Sequence, residues 1–203
     1  MLERLKNSRV YWPCLIALAT GLRRGEVLAL RWKNVDLDRG ALQVVQSVQQ
    51  TKAGIRFKPP KNGRSRAVTL PAFAVVELRR LKREQAERLL SLGVRQSPDT
   101  LVCGRADGEP HQPLSLTYEF ARLMGRMDDL PRVRFHDLRH SHATALLASG
   151  VHPKIAQERL GHASVTITLD LYSHVTDRMQ VDAAKLVDSS LGGAISKLRG
   201  AKG

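Results

Sequence analysis

Cysteine is scarce in this 203-residue sequence: there are two, Cys14 and Cys103, both in apolar surroundings and neither spaced like a metal ligand. We expect buried free thiols in a reducing compartment. The sequence also lacks an apolar run long enough to cross a bilayer, and its first residues, "MLERLKNSRV", lack the apolar core of a signal peptide. A glycine-rich phosphate loop with lysine is missing too. These absences favour a cytoplasmic protein that needs no nucleotide cofactor.

Acidic residues are the minority among the charged ones. The chain has 33 Lys+Arg against 19 Asp+Glu, a formal net charge of +14. Such an excess favours a polyanionic partner, usually a nucleic acid. A membrane surface is the rival partner, but membrane-binding helices pair a basic face with large exposed apolar residues, and no segment has that pattern. A basic protein that is merely soluble is the third interpretation.

Apolar residues recur at helical spacing through most of the chain, and one segment alternates instead. The predicted helices lie on both sides of Gly21, after Pro71 up to Gly93, in "LSLTYEFARLMGRM", from Asp137 to Ser149, from Pro153 to Gly161 and in the tail from Tyr172 to Gly203. The stretch "GALQVVQSVQQTKAGIRFKPPKNGRSRAVTLP" alternates and contains turn signals, which predicts an antiparallel sheet of two or three strands. "TLVCG" predicts a further short strand. The fold class is mainly α with a small antiparallel β-sheet (α+β).

The stretch "HDLRH" concentrates polar chemistry at the start of a helix. His136, Arg139 and His140 stand at i, i+3 and i+4, so they share one helix face. Such a face is a poor core surface, because an unpaired buried charge is expensive. It suits an anion, because arginine matches phosphate oxygens and a helix N-terminus, here with Asp137 as N-cap, favours negative charge. The alternative is a surface patch held by ion pairs.

Two further stretches add cations. In "TGLRRGEVLAL", Gly21 ends one helix and Arg23, Arg24 and Glu26 open the next, where an arginine can point into a cleft and Glu26 can orient it. The alternative is that Glu26 only interacts with the helix dipole. "KPPKNGRSRAVTLP" is a basic loop whose lysines can enter a nucleic-acid groove, although contact with backbone phosphates is their more common role.

The last stretch, "LGHASVTITLDLYSHV", places His162 after a helix-ending glycine and Tyr172 further on. The chain has three tyrosines. Tyr11 and Tyr118 lie within amphipathic helices and are interpreted as packing residues. Tyr172 is interpreted as functional because of the charged residues around it, since an isolated tyrosine is usually structural.

Together, "TGLRRGE", "KNGRSRAVTLP", "HDLRHSHAT", "LGH" and "LYSHV" resemble, in order and spacing, the catalytic domain of tyrosine recombinases, the phage-integrase family. The resemblance implies that two arginines and two histidines surround one DNA phosphate: Arg23, Arg139, His136 and His162. It makes Tyr172 the nucleophile, which would leave a 3′-phosphotyrosyl link and a free 5′-hydroxyl. Lys61 becomes the general acid for the 5′-oxygen, with Lys58 as the second candidate, and Glu26 supports the site.

The resemblance also implies partners and organisation. Residues 1–176 would form the catalytic domain and residues 177–203 a tail helix that is either exchanged between protomers or packed within its own chain, without the N-terminal core-binding domain usual in the family. The partner would be a double-stranded DNA attachment site, bound by a homo-tetramer of the full-length protein at the nucleoid, whereas this chain alone would be a monomer. No metal and no cofactor is implied. The expected DNA contacts are Lys58, Arg64, Arg66, Arg132, Arg134 and His140.

Elementary chemistry agrees with these roles. A free tyrosine has a pKa of ~10 and must be activated to attack, and clustered arginines and imidazoles stabilise the charge of a pentavalent transition state. Three alternatives remain. His136 and His140 have a spacing common among zinc ligands, but no carboxylate completes an HExxH pattern and Arg139 would lie beside the metal. The others are relaxation of DNA in the manner of type IB topoisomerases and a catalytically silent DNA-binding regulator.

Overall fold

The computed structural model describes residues 1–61, 63–166, 168–169, 184–185 and 187–189. Its helices are α1 (Leu2–Leu5), α2 (Tyr11–Thr20), α3 (Arg24–Ala29), α4 (Ala72–Ser91), α5 (Pro113–Met124), α6 (Asp137–Ala148) and α7 (Pro153–Leu160). Its strands are β1 (Val35–Asp36), β2 (Ala41–Val44), β3 (Ser47–Thr51), β4 (Gly54–Lys58) and β5 (Arg66–Thr69). The predicted tail helix lies outside the described residues, apart from the few positions just given. The α+β class predicted from the periodicity is confirmed.

The strands form two small antiparallel sheets, one of three strands in the order β1-β2-β5 and one made of β3 and β4. In the first, Leu42 of β2 pairs with Val68 of β5, and both side chains are buried in the core. In the second, Thr51 lies opposite Gly54, so a two-residue turn joins the strands. The strand β5 leads directly out of the predicted basic loop, which fixes one end of that loop on the sheet.

The core is shared by the helices and the three-stranded sheet. Its fully buried side chains include Ile16 of α2, Leu28 of α3, Leu78 of α4 and Phe120 of α5. Both cysteines are free and buried, as predicted, and burial raises the pKa of each thiol. In the part of the chain that is described, no helix has the length and apolar character needed to span a membrane.

Glycine fixes the place where α2, α6 and α7 meet. Gly21 follows α2 with a φ of 70°, and Gly161 follows α7 with a φ of 67°, a left-handed conformation that glycine adopts without strain. Gly21 is also needed for space, because a Cβ there would lie 2.6 Å from Leu160 Cδ2 and 2.7 Å from His142 Cδ2. The three helices therefore touch at Gly21, two residues before Arg23.

The strand predicted at one apolar stretch and the packing predicted for Tyr118 were wrong. The stretch "TLVCG" is not a strand: Leu101 makes an isolated bridge to Arg31, and its carbonyl accepts a hydrogen bond of 2.9 Å from Gln85 Nε2. Its apolar character reflects burial of an irregular segment, whose backbone must still find partners. Tyr118 does not pack, since 71% of its surface is exposed, whereas Tyr11 is 8% exposed.

Candidate active site

The first predicted arginine sits where α3 begins. Arg23 is the N-cap of α3, and its backbone N–H donates to Glu26 Oε2 over 2.9 Å. Its guanidinium also reaches Glu26, with Nη1 3.0 Å from Oε1. A carboxylate at the third helical position is a common partner for the N-cap N–H. The local sequence therefore both starts the helix and aims the Arg23 side chain.

The carboxylate of Glu26 is almost completely buried and holds a second arginine. Arg66 of β5 donates from Nη1 to Oε1 over 3.1 Å and from Nη2 to Oε2 over 2.8 Å. Burial by itself would raise the pKa of Glu26, but the hydrogen bonds and charges of Arg66 and Arg23 outweigh it and lower the pKa. Glu26 is therefore an anion that links α3 to the sheet.

The C-terminal end of α7 is covered by guanidinium groups. Its last carbonyls have no partner within the helix and carry the negative end of the helix dipole. Three consecutive carbonyls each accept one hydrogen bond from a different arginine. The pairs are Arg66 Nε to Arg159 O at 2.9 Å, Arg139 Nη2 to Leu160 O at 2.9 Å, and Arg23 Nη2 to Gly161 O at 2.8 Å. One helix end thus holds three cations side by side.

Arg139 is the deepest of the three arginines. It lies on α6, is 4% exposed, and its Nη1 donates to the carbonyl of Gly21 over 2.6 Å. Burial lowers the pKa of Arg139 to about 9, and the charge of Arg23 acts in the same direction while Glu26 opposes it. Arg139 therefore stays charged at neutral pH.

His162 follows α7 and its glycine. Its Nδ1 lies 2.9 Å from the hydroxyl oxygen of Thr168. Burial lowers the pKa of His162 to about 4, with the charges of Arg139 and Arg23 adding to the effect. The imidazole is therefore neutral at physiological pH and lies within electrostatic reach of both predicted phosphate-binding arginines.

His136 and His140 meet on the exposed side of α6. Their ring centroids are 4.8 Å apart in an edge-to-face arrangement, as the i, i+4 spacing predicts. Burial lowers the pKa of His136, and the charges of His140 and Arg139 lower it further. Asp137 is not the N-cap: it is the first helical residue, and its Oδ2 accepts the backbone N–H of Arg134 over 2.7 Å. The carboxylate reaches back to Arg134 because that residue supplies both a backbone and a side-chain donor.

Two open clefts adjoin these groups, and Arg23 lines both. One, of about 720 Å³, is lined among others by Arg23, Lys58, Lys61, Arg134 and His136. The other, of about 640 Å³, is lined among others by Arg23, Arg64, Arg66 and His162. Both lysine candidates therefore face the same cleft as His136, the N-cap of α6.

The structure does not gather every predicted residue. Arg132 is exposed in the segment before α6, and Arg24 lines the cleft shared by both lysines but bonds the hydroxyl of Thr117 there. Arg66, predicted to contact DNA, is instead largely buried against Glu26. Tyr172 lies outside the described residues. Among those described, no three His, Cys, Asp or Glu residues cluster as metal ligands would.

Sequence reasoning missed the pair formed by His142 and Arg159. Arg159 Nε donates to His142 Nε2 over 3.1 Å, which links α7 to α6. His142 belongs to the same histidine-rich run as His136, and its spacing of i+3 from Arg139 was the available signal. The prediction concerns only the helix face that holds His136 and His140, whereas His142 points towards α2.

A sequence profile of the phage integrase family matches residues 4–179. The chain therefore belongs to the phage integrase family. It is 29% identical over 199 residues to a XerC-like tyrosine recombinase of Caldanaerobacter subterraneus subsp. tengcongensis, covering 92% of this chain and 51% of that protein. It is 33% identical over 180 residues to the ICEBs1 integrase of Bacillus subtilis, covering 87% of this chain and 48% of that protein. The chain thus spans about half the length of these relatives.

Solved structures share the fold. The Tn1549 transposon integrase in complex with a circular intermediate DNA superposes with a TM-score of 0.75 at 21% identity, covering 91% of this chain and 62% of that one. The XerA recombinase superposes with a TM-score of 0.67 at 22% identity, covering 91% of this chain and 60% of that one. The predicted fold of the tyrosine-recombinase catalytic domain is confirmed.

Proposed function

We propose that this chain is the catalytic domain of a site-specific DNA recombinase that cleaves a strand through Tyr172 and rejoins it to a new partner strand. The observation that carries the proposal is the convergence of Arg23, Arg139 and His162 at the end of α7, beside basic clefts. The two relatives named above, a recombinase and an integrase, support the same reaction.

The cluster is suited to one phosphodiester. A guanidinium has five N–H donors, more than the two carbonyl contacts of Arg139 require. Donors fixed by protein carbonyls need no reorganisation when negative charge develops on the phosphate. Arg23 and Arg139 would hold the non-bridging oxygens, and His162 would donate a further hydrogen bond. The positive charge of the arginines replaces what a metal ion supplies in other phosphoryl-transfer sites.

Proton transfer needs a base and an acid. A phenol with a pKa of ~10 has to lose its proton as it attacks, and His136, whose pKa is lowered, is neutral and can accept it. Attack of the Tyr172 oxygen forms the O–P bond as the bond to the 5′-oxygen breaks, and Lys61 would protonate that oxygen. The phosphotyrosyl bond keeps the energy of the phosphodiester, so religation by a 5′-hydroxyl reverses the step without ATP.

The test is trapping of the covalent intermediate. Nicked duplexes with a randomised core sequence let the short cleaved strand diffuse away, so any adduct accumulates and can be recovered by denaturing electrophoresis and sequenced. We expect the wild-type chain to form an adduct and Tyr172→Phe to form none. The matched control is Tyr118→Phe, which removes an exposed tyrosine of α5 and should leave adduct formation unchanged.

The alternatives give different results in the same assay. A silent DNA-binding regulator would retain duplexes without any covalent product. An adduct that persists in Tyr172→Phe and disappears in Tyr118→Phe would move the nucleophile to α5. Relaxation of supercoiled plasmid at random sites, without enrichment of a core sequence, would favour the topoisomerase-like reaction.

The proposal extends to assembly. On an attachment site we propose a homo-tetramer of the full-length protein that works at the nucleoid. Residues 177–203 would be exchanged between its protomers, because the apolar spacing in "VDAAKLVDSSLGGAISKL" suits packing of a helix into a groove. This chain alone would be monomeric and would bind DNA weakly and with strong salt dependence. Sedimentation of this chain alone tests whether it is monomeric, and sedimentation with a selected duplex tests how weakly it binds DNA.

A further inference from the structure

His142 lies between two groups that fix which of its ring nitrogens carries the proton. Its Nδ1 is 2.7 Å from the carbonyl oxygen of Leu18 in α2, and its Nε2 is 3.1 Å from Arg159 Nε in α7. A carbonyl only accepts and a guanidinium only donates. Nδ1 must therefore bear the hydrogen and Nε2 must present its lone pair, so both contacts exist together only in the neutral ring.

This ring sits behind the arginine cluster. Its Cδ2 lies 2.7 Å from where a Cβ on Gly21 would be, so the imidazole packs directly on the glycine. Arg159, its partner, also donates from Nη2 to the carbonyl of Ala19 over 3.3 Å. His142 and Arg159 thus attach the last turn of α7 to the end of α2, while the carbonyls of that same turn hold the arginines.

We propose that His142, as a neutral Nδ1–H tautomer, is a positioning residue that seats the C-terminal turn of α7 and so aligns Arg23 and Arg139. The inference rests on the proposed function for its effect on DNA cleavage, and on geometry alone for its effect on α7. His142 acts through other residues and need not touch DNA.

Protonation would release this attachment. A proton on Nε2 removes the acceptor for Arg159 and places two cations in contact. The charged groups that face His142 in the described part of the chain are Arg159 from α7 and Arg139 from α6, while α2 contributes the carbonyl of Leu18. Burial lowers the pKa of His142, the two arginines lower it further, and the hydrogen bond to Leu18 opposes them. The neutral form therefore prevails near neutral pH.

The tautomer can be measured directly in the wild-type chain. In a long-range ¹H–¹⁵N correlation spectrum at pH 7, the ring assigned to His142, identified by its loss in His142→Gln, should show a protonated Nδ1 and an unprotonated Nε2. This is the less common tautomer of a neutral histidine. A protonated Nε2, or a doubly protonated ring at that pH, would overturn the proposal.

A second measurement uses stability. His142→Gln keeps an oxygen that can accept from Arg159 and removes the titration. Between pH 7 and pH 5 the melting temperature of the wild type should fall more than that of His142→Gln, by roughly 2–4 °C. The control is His152→Asn, which removes the exposed N-cap histidine of α7 and leaves a good N-cap residue. The fall in its melting temperature between pH 7 and pH 5 should be closer to that of the wild type than the fall in His142→Gln is. A His142→Gln curve that parallels the wild type contradicts the proposal.

The third measurement is strand cleavage on a selected nicked duplex at saturating DNA. His142→Phe, which cannot hold Arg159, should cleave about 10-fold more slowly, because small displacements of aligned groups reduce rates steeply. Its salt dependence of DNA binding should match the wild type. Cleavage at the wild-type rate would exclude the positioning role. If the wild type forms no adduct, the proposed function fails. The spectrum and the melting temperatures, which need no DNA, still decide the tautomer of His142 and its effect on stability.

Discussion

Arg66 and Glu26 form a two-pronged ion pair inside the protein, with Nη1 3.1 Å from Oε1 and Nη2 2.8 Å from Oε2. The side chain of Glu26 is 1% exposed and that of Arg66 is 11% exposed. Since Glu26 also holds Arg23, this one carboxylate balances two of the three guanidiniums at the end of α7. It is the anionic centre of a cationic site.

Neutralising this carboxylate should destabilise the fold. Glu26→Gln leaves two guanidiniums without their counter-ion, and breaking a buried pair in this way costs about 3–5 kcal/mol. Urea denaturation followed by circular dichroism measures the loss. The control is Glu84→Gln on α4, whose pair with Arg80 is exposed and should contribute about 0–1 kcal/mol. Equal losses in the two variants would refute the role assigned to Glu26.

Arg64 and Arg66 should affect DNA binding differently although they are two positions apart. Arg64 is exposed in the cleft, whereas Arg66 is committed to Glu26 and the carbonyl of Arg159. If Arg64 contacts one phosphate, Arg64→Gln should reduce the slope of log K against log salt by about 0.9. Arg66→Gln should leave the slope unchanged and lower the stability instead. Fluorescence anisotropy at several salt concentrations gives both slopes. A reduced slope for Arg66→Gln would show that Arg66 contacts DNA.

The two lysine candidates can be separated by the leaving group. Lys58 and Lys61 line the same cleft, but only the general acid is needed to protonate the departing 5′-oxygen. A 5′-sulfur leaving group needs far less protonation, because a thiol has a pKa of ~8.5. Lys61→Ala should therefore cleave ordinary DNA about 100-fold more slowly or worse and regain most of its rate on the sulfur substrate.

Lys58→Ala is the matched control and should show little change on either substrate. Arg139→Lys should be slow on both substrates, since charge stabilisation does not depend on the leaving group. The reverse pattern for the lysines, with rescue confined to Lys58→Ala, would assign the acid to the end of β4.

His162 should make the protein lose stability in acid. Its pKa in the folded chain is about 4, below the ~6.5 of an unfolded chain. Between these values the unfolded chain binds more protons, so the free energy of unfolding falls as the pH drops from 6.5 to 4, and the loss is complete below pH 4. His162→Asn should show a flatter dependence over that window in urea denaturation. Added sulfate, as an anion for the arginine cluster, should reduce the loss in the wild type; a pH dependence that is the same in both proteins would contradict the assignment.

The helices that carry the site were predictable because their signals are local. Gly21, Gly161 and the i, i+3, i+4 spacing of "HDLRH" each act within a few residues, and the structure follows them. The burial of Arg66 was not predictable, because its partners, Glu26 and Arg159, are distant in sequence and nothing near Arg66 indicates burial. "TLVCG" failed for a related reason: its apolar run is buried, but its backbone pairs with the segment after α3 only at an isolated bridge, and the Leu101 carbonyl is bonded by Gln85 of α4.

The tyrosines mark the limit of the sequence argument in another way. Tyr118 has helical spacing like a packing residue, yet it is exposed on α5, so periodicity alone did not separate a core position from a surface one. The role of Tyr172 stays a prediction from the resemblance, because that residue is outside the described part of the chain.

The guanidiniums at the end of α7 are held by backbone carbonyls, which are present whether or not a nucleic acid is bound. The receptor for a phosphate would then have the same shape before the first strand enters and after the last one leaves. The phosphodiester bonds broken and formed in the proposed reaction are equivalent. An arginine cluster of constant shape suits such a reaction, because relaxation of the protein favours neither direction.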